Sequence, residues 1–185
     1  VDYVGNMGPF VATTSPKREN FMPTSIAAAL VNQRFAYSVE GTGDLNGDGF
    51  SDLIVNYYNG NEVDIFFGST AGIAATPSVR IQGNVTTFGA AIAAIGDVNK
   101  DNYEDMAIGA STDGPGVVYV YYGRSTADWN TKPTLTVTDA NVTITADAVA
   151  DPNFSVARLG GAIAAVGDYN NDTVDDFAVG AFRYN

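Results

Sequence analysis

The sequence contains no cysteine and no histidine. Without cysteine no disulfide framework reports the compartment, and without either residue zinc has none of its usual nitrogen or sulfur ligands. The same absences remove the Ser-His-Asp, Cys-His and zinc-water arrangements on which much hydrolytic chemistry depends. Basic residues are also scarce. Nine Lys and Arg stand against 21 Asp and Glu, a formal charge of −12, which argues against a nucleic-acid partner. No apolar run approaches the roughly eighteen residues of a membrane helix. Yet 45% of the 185 residues are hydrophobic, enough for one domain with a core or a few repeats of a longer array.

The acidic excess is not scattered. GDLNGDGFSDLIV (Gly43 to Val55), GDVNKDNYEDMAIGA (Gly96 to Ala110) and GDYNNDTVDDFAVGA (Gly167 to Ala181) share the pattern D-x-N-x-D-x-x-x-D. The side chains are Asp44, Asn46, Asp48 and Asp52; Asp97, Asn99, Asp101 and Asp105; and Asp168, Asn170, Asp172 and Asp176. Oxygen donors at positions 1, 3, 5 and 9, with the carbonyl of position 7 (Phe50, Tyr103, Val174), suit a hard cation of six to eight ligands. Three carboxylates and one amide favour Ca²⁺ over Mg²⁺, so up to three Ca²⁺ ions are expected. They would bring the net charge to about −6. An Asp/Asn-rich hairpin turn is the plain alternative, and three copies in one register weigh against it. An EF-hand loop needs an acidic ligand at position 12; Val55, Ile108 and Val179 stand there. Position 6, the sharpest bend, is Gly49, Asn102 and Thr173, in falling order of tolerance for left-handed backbone, which ranks the sites first, second, third.

The flanks repeat too. FGAAIAAIGD (Phe88 to Asp97) and LGGAIAAVGD (Leu159 to Asp168) precede the second and third loops, and DMAIGA and DFAVGA follow. With Phe88-Gly89-Ala90 and Gly109-Ala110, the chain resembles the FG-GAP repeats of integrin α-subunit β-propellers. The resemblance implies an all-β fold of four-stranded blades, each with a Ca²⁺ loop between its first and second strands, and recognition of a protein ligand. The first copy departs from it at Phe35-Ala36-Tyr37 and the third at Leu159.

The register divides the chain into the second half of a blade (1–34), a complete blade (35–82), a second complete blade (83–158) and the first half of another (159–185). Strands are expected at about 35–42, 52–57, 62–67 and 78–82, and again from Phe88, with VVYVYY (Val117 to Tyr122) as a third strand. Loop spacing grows from 53 to 71 residues, so an insertion falls at about 123–158. It reads as an outer hairpin or surface loop packed over Trp129, or as a binding surface. Two half-blades leave two readings open: an excerpt of a longer propeller, or head-to-tail self-association through the halves into a filament or ring.

Glu40, Glu62 and Glu104 lie apart, so no carboxylate pair suggests catalysis, and the expectation is a non-enzymatic protein. An accessory segment of a secreted hydrolase is the competing class. Weak Ca²⁺ modules saturate at extracellular concentrations, which favours an extracellular or cell-surface location in an adhesion or scaffold role. Sequons at Asn84, Asn141, Asn153 and Asn171 are compatible with glycosylation, the last inside the third loop.

Overall fold

In a computed structural model of the chain, the described residues are 10–12, 24–26, 34–58, 61–145 and 158–182. Most of the half-blade expected at 1–34 and the sequon at Asn153 lie outside them. A short antiparallel pair comes first, β1 (Phe10–Ala12) with β2 (Thr24–Ile26). Next are β3 (Arg34–Gly41), β4 (Leu53–Tyr58), β5 (Glu62–Phe66) and β6 (Val79–Gln82), an antiparallel meander in chain order. The second meander is β7 (Phe88–Gly96), β8 (Asp105–Ala110) and β9 (Val117–Tyr121). A single helical turn α1 (Thr126–Thr131), β10 (Thr134–Thr136) and β11 (Val142–Thr145) follow. The last pair is β12 (Leu159–Gly167) with β13 (Asp176–Ala181). The fold is all-β, and both meander sheets begin at the strand expected from the sequence.

Side-chain alternation explains how the sheets stack. Ile54, Val63, Ile65, Val79 and Ile81 of the first sheet pack against Phe88, Ile92, Met106, Ile108 and Tyr119 of the second. The opposite face of the second sheet, with Ala107, Val118 and Val120, meets Ile163, Phe177 and Val179 of the third. Strands β8 and β9 are therefore buried on both faces, and they read as unbroken apolar runs. The other face of the first sheet holds Asp64, fully buried. Arg80 grips it at 2.8 and 3.0 Å, and the Tyr57 hydroxyl donates to it at 2.9 Å. A buried carboxylate persists only with such partners.

The insertion is neither a plain hairpin nor a loose loop. Ser125 caps α1, its side chain accepting from Asp128 N, and Trp129 is buried as expected. Strand β10 then crosses back to the first sheet and pairs parallel with β6, becoming its fifth strand. Only afterwards does β11 return to pair antiparallel with β9, as the fourth strand of the second sheet. The segment thus straps one sheet to the next and covers an edge that would otherwise be open to pairing.

Candidate metal centre

Each acidic loop joins the first two strands of its sheet: β3 to β4, β7 to β8, and β12 to β13. The three fold alike because short Asp side chains satisfy the tight backbone. At position 1, Asp44, Asp97 and Asp168 accept through Oδ1 from the amide of position 5 at 2.9 to 3.1 Å. Through Oδ2 they accept from position 6 at 2.6 to 2.8 Å. At position 5, Asp48, Asp101 and Asp172 accept from the amide of Phe50, Tyr103 and Val174 at 2.8 to 3.0 Å. Asn46 and Asn99 accept from the amide of position 5 and donate back to its carboxylate.

Left-handed backbone appears where it was expected. Position 6 has φ +88° at Gly49, +69° at Asn102 and +71° at Thr173. Position 4 is left-handed too, at Gly47, Lys100 and Asn171, which the sequence reading missed. Gly and Asn in two copies carried that signal, and Lys100 obscured it. A lysine and a threonine held at positive φ cost about 1–2 kcal/mol each. Such strain is tolerated when the surroundings impose the loop shape.

The ninth residue anchors each loop to its sheet. Asp52 is 2% exposed and accepts from Leu45 N at 2.9 Å and Gly68 N at 2.8 Å. Asp105, fully buried, repeats this with Val98 N and Gly123 N at 2.9 and 2.8 Å. Asp176 accepts from Tyr169 N at 3.0 Å but is only half-buried. Burial pushes the Asp52 carboxyl up to about 7; the two amides oppose the shift, and the Asp48 and Asp44 charges add to it. Asp105 is raised to about 6, again mainly by burial, with Asp101 and Asp97 adding. Counter-charge is what these loops lack.

Among the described residues no three acidic side chains form a ready cation cage. The donor set nevertheless fits Ca²⁺. An ionised carboxylate offers about four lone-pair sites. The bonds named here take three on Asp44, counting Gly47 N at 2.7 Å, and two each on Asp48 and Asp52. Each of these three carboxylates keeps room for an ion.

Neighbouring loops touch in the same sense each time. Glu104 N donates to Asp44 O at 3.2 Å, and the Glu104 side chain lies against Gly43. One repeat later, Asp175 accepts from Asp97 N at 3.1 Å. Lys100 reaches from the second loop to Thr173 Oγ1 and Asp172 O of the third, at 2.8 and 3.2 Å. Position 8, to which the sequence reading assigned no role, is the residue that contacts the preceding loop.

The FG-GAP repeat family model matches residues 35–74 and 88–121. Integrin alpha-6 of Gallus gallus is 33% identical over 147 residues, which is 75% of this chain and 12% of that protein. Integrin alpha-3 of Mus musculus is 39% identical over 92 residues, 44% of this chain and 9% of that protein. Integrin alpha-PS2 of Drosophila melanogaster is 28% identical over 179 residues, 85% of this chain and 12% of that protein. The chain thus spans about a tenth of the length of these relatives. It carries FG-GAP repeats, is similar to integrin α subunits, and builds these repeats as β-propeller-type blades.

Proposed function

We propose that the chain is a calcium-binding, non-catalytic propeller segment of an extracellular adhesion or scaffold protein. The repeats run 35–82 and 83–158, flanked by the half-repeats 1–34 and 159–185. One observation carries the reading: three loops of identical oxygen-donor spacing repeat one hydrogen-bond pattern and one pair of left-handed positions, even where Lys100 and Thr173 strain to adopt them. The side chains of positions 1, 3, 5 and 9 and the carbonyls of Phe50, Tyr103 and Val174 would hold the ions. A bound ion would neutralise the carboxylates and fix the hairpin of its blade. The chain's own residues supply the remainder: backbone amides orient the carboxylates, and Asp52 and Asp105 tie each loop to the far end of the third strand of its sheet. Similarity to integrin α subunits supports an adhesive role and recognition of a protein ligand at the cell surface.

The test is the melting temperature of Asp48→Ala beside the unaltered chain. The variant is expected to melt lower in Ca²⁺ and nearly unchanged in excess chelator. Equal losses in both conditions would overturn a metal role for this loop.

A further inference from the structure

The sequence contains one tryptophan, and its hydrogen bond ends in the first acidic loop. Trp129 is fully buried, so its indole N–H requires an acceptor. That acceptor is the carbonyl of Leu45, 84 residues away in sequence, at 3.1 Å. Leu45 is position 2 of the first loop and is itself fully buried. Its carbonyl takes a second bond from Arg124 N at 3.0 Å, so both lone pairs are engaged by the strap of the next blade. The Arg124 guanidinium lies 4.0 Å over the indole, and the Phe67 ring is 6.3 Å away, which fixes the indole in place.

The residue held in this way is linked to two of the proposed ligands. The Leu45 amide donates to Asp52 at position 9, and the residue after Leu45 is Asn46 at position 3, 3% exposed. Displacement of Leu45 would therefore shift both. The second blade braces this loop at two further points, with the Tyr103 ring against Gly47 and Glu104 N on Asp44 O.

We infer that Trp129 is a positioning residue for the first cation site: its indole, carried on the strap of the second blade, sets the Leu45 peptide and thereby couples occupancy of that site to the joint between the two blades. The inference rests on the reading of the first loop as a Ca²⁺ site. Two consequences follow. An ion placed there changes the local charge by two beside a buried indole, so Trp129 emission reports it. Removing the indole N–H also weakens the site without touching a ligand, by roughly 2- to 10-fold, the range expected for one hydrogen bond.

The experiment titrates Ca²⁺ into the chelator-stripped 185-residue chain while Trp129 is excited selectively, with parallel calorimetry. Emission is expected to change saturably in the unaltered chain and in Asp101→Ala, which disables the second loop, and to stay flat in Asp48→Ala. In Trp129→Phe, calorimetry is expected to show the first site weakened 2- to 10-fold and the second unchanged. Emission that still responds in Asp48→Ala, or an unaltered first site in Trp129→Phe, would overturn the coupling while leaving the Ca²⁺ reading intact. Absence of any binding step assignable to the first loop would overturn both. Should Trp129→Phe fail to fold, the fluorescence comparison of the unaltered chain with Asp48→Ala decides alone.

Discussion

The side-chain amide of Asn56 donates to the carbonyl of Gly89 at 2.5 Å, joining the second strand of one blade to the first strand of the next. Asn56 also accepts from Ser38 N at 2.5 Å and is 2% exposed. It stands where the second copy has Gly109 and so replaces a backbone contact with a side-chain bridge. Asn56→Ala would leave the half-buried Ser38 amide and the buried Gly89 carbonyl without partners, at about 1–3 kcal/mol each. A fall in melting temperature of roughly 4 °C or more is expected for a chain of this size; a change below a degree would mean that the bridge is not formed.

Gly109 explains the family's second glycine. A Cβ built on it would run into the carbonyl of Gly160, the glycine at the head of the third copy, which itself has φ +82°. Gly109→Ala must therefore separate two blades, at a cost of about 1–3 kcal/mol or more. Gly114→Ala is a useful contrast, because no atom crowds that position although its φ is +58°. Melting of the two variants side by side is expected to show the larger loss at Gly109.

Backbone strain at Thr173 sets two effects against each other. Replacing it with Gly relieves about 1–2 kcal/mol of left-handed strain but removes an exposed hydrogen bond from Lys100, worth about 1 kcal/mol or less in that setting. The strain term wins. Calorimetry is expected to show a tighter third site in Thr173→Gly, and an unchanged or weaker site would show that strain does not limit it.

The buried ninth residues give the metal-free protein an unusual pH response. Asp52 and Asp105 are raised from the ordinary 3.8 to about 7 and about 6, so the folded chain holds these protons more tightly than the unfolded one. Their stabilising contribution is complete below about pH 4 and is lost as pH rises through 6 to 7. In excess chelator the melting temperature is expected to fall between pH 5 and 8 on their account. In saturating Ca²⁺ the trend should reverse, because the ion requires ionised carboxylates. A chelated protein whose melting is flat across this range would contradict the burial argument.

The acidic loops and blade strands were legible in the sequence because their determinants are local. Ligand spacing, left-handed positions and alternating apolar residues all act within about ten residues, and Gly49, Asn102 and VVYVYY announce them. What could not be read was set by distant partners. Strand β10 is a three-residue Thr-Leu-Thr segment whose pairing with β6 spans some fifty residues, and its pattern is indistinguishable from loop. Trp129 was visible as a residue to be buried, but nothing in its neighbourhood pointed to Leu45. Neither Glu104 nor Asp175 had a legible role, because their partners belong to the preceding repeat.

The central claim is that these loops hold calcium, and counting the ions tests it most directly. The chelator-stripped chain would be equilibrated by dialysis against millimolar Ca²⁺ and assayed for bound metal per chain, with Asp48→Ala alongside. The account predicts up to three ions on the unaltered chain, with the first site the tightest, and one fewer on the variant. No bound calcium, or the same number on both proteins, would contradict it.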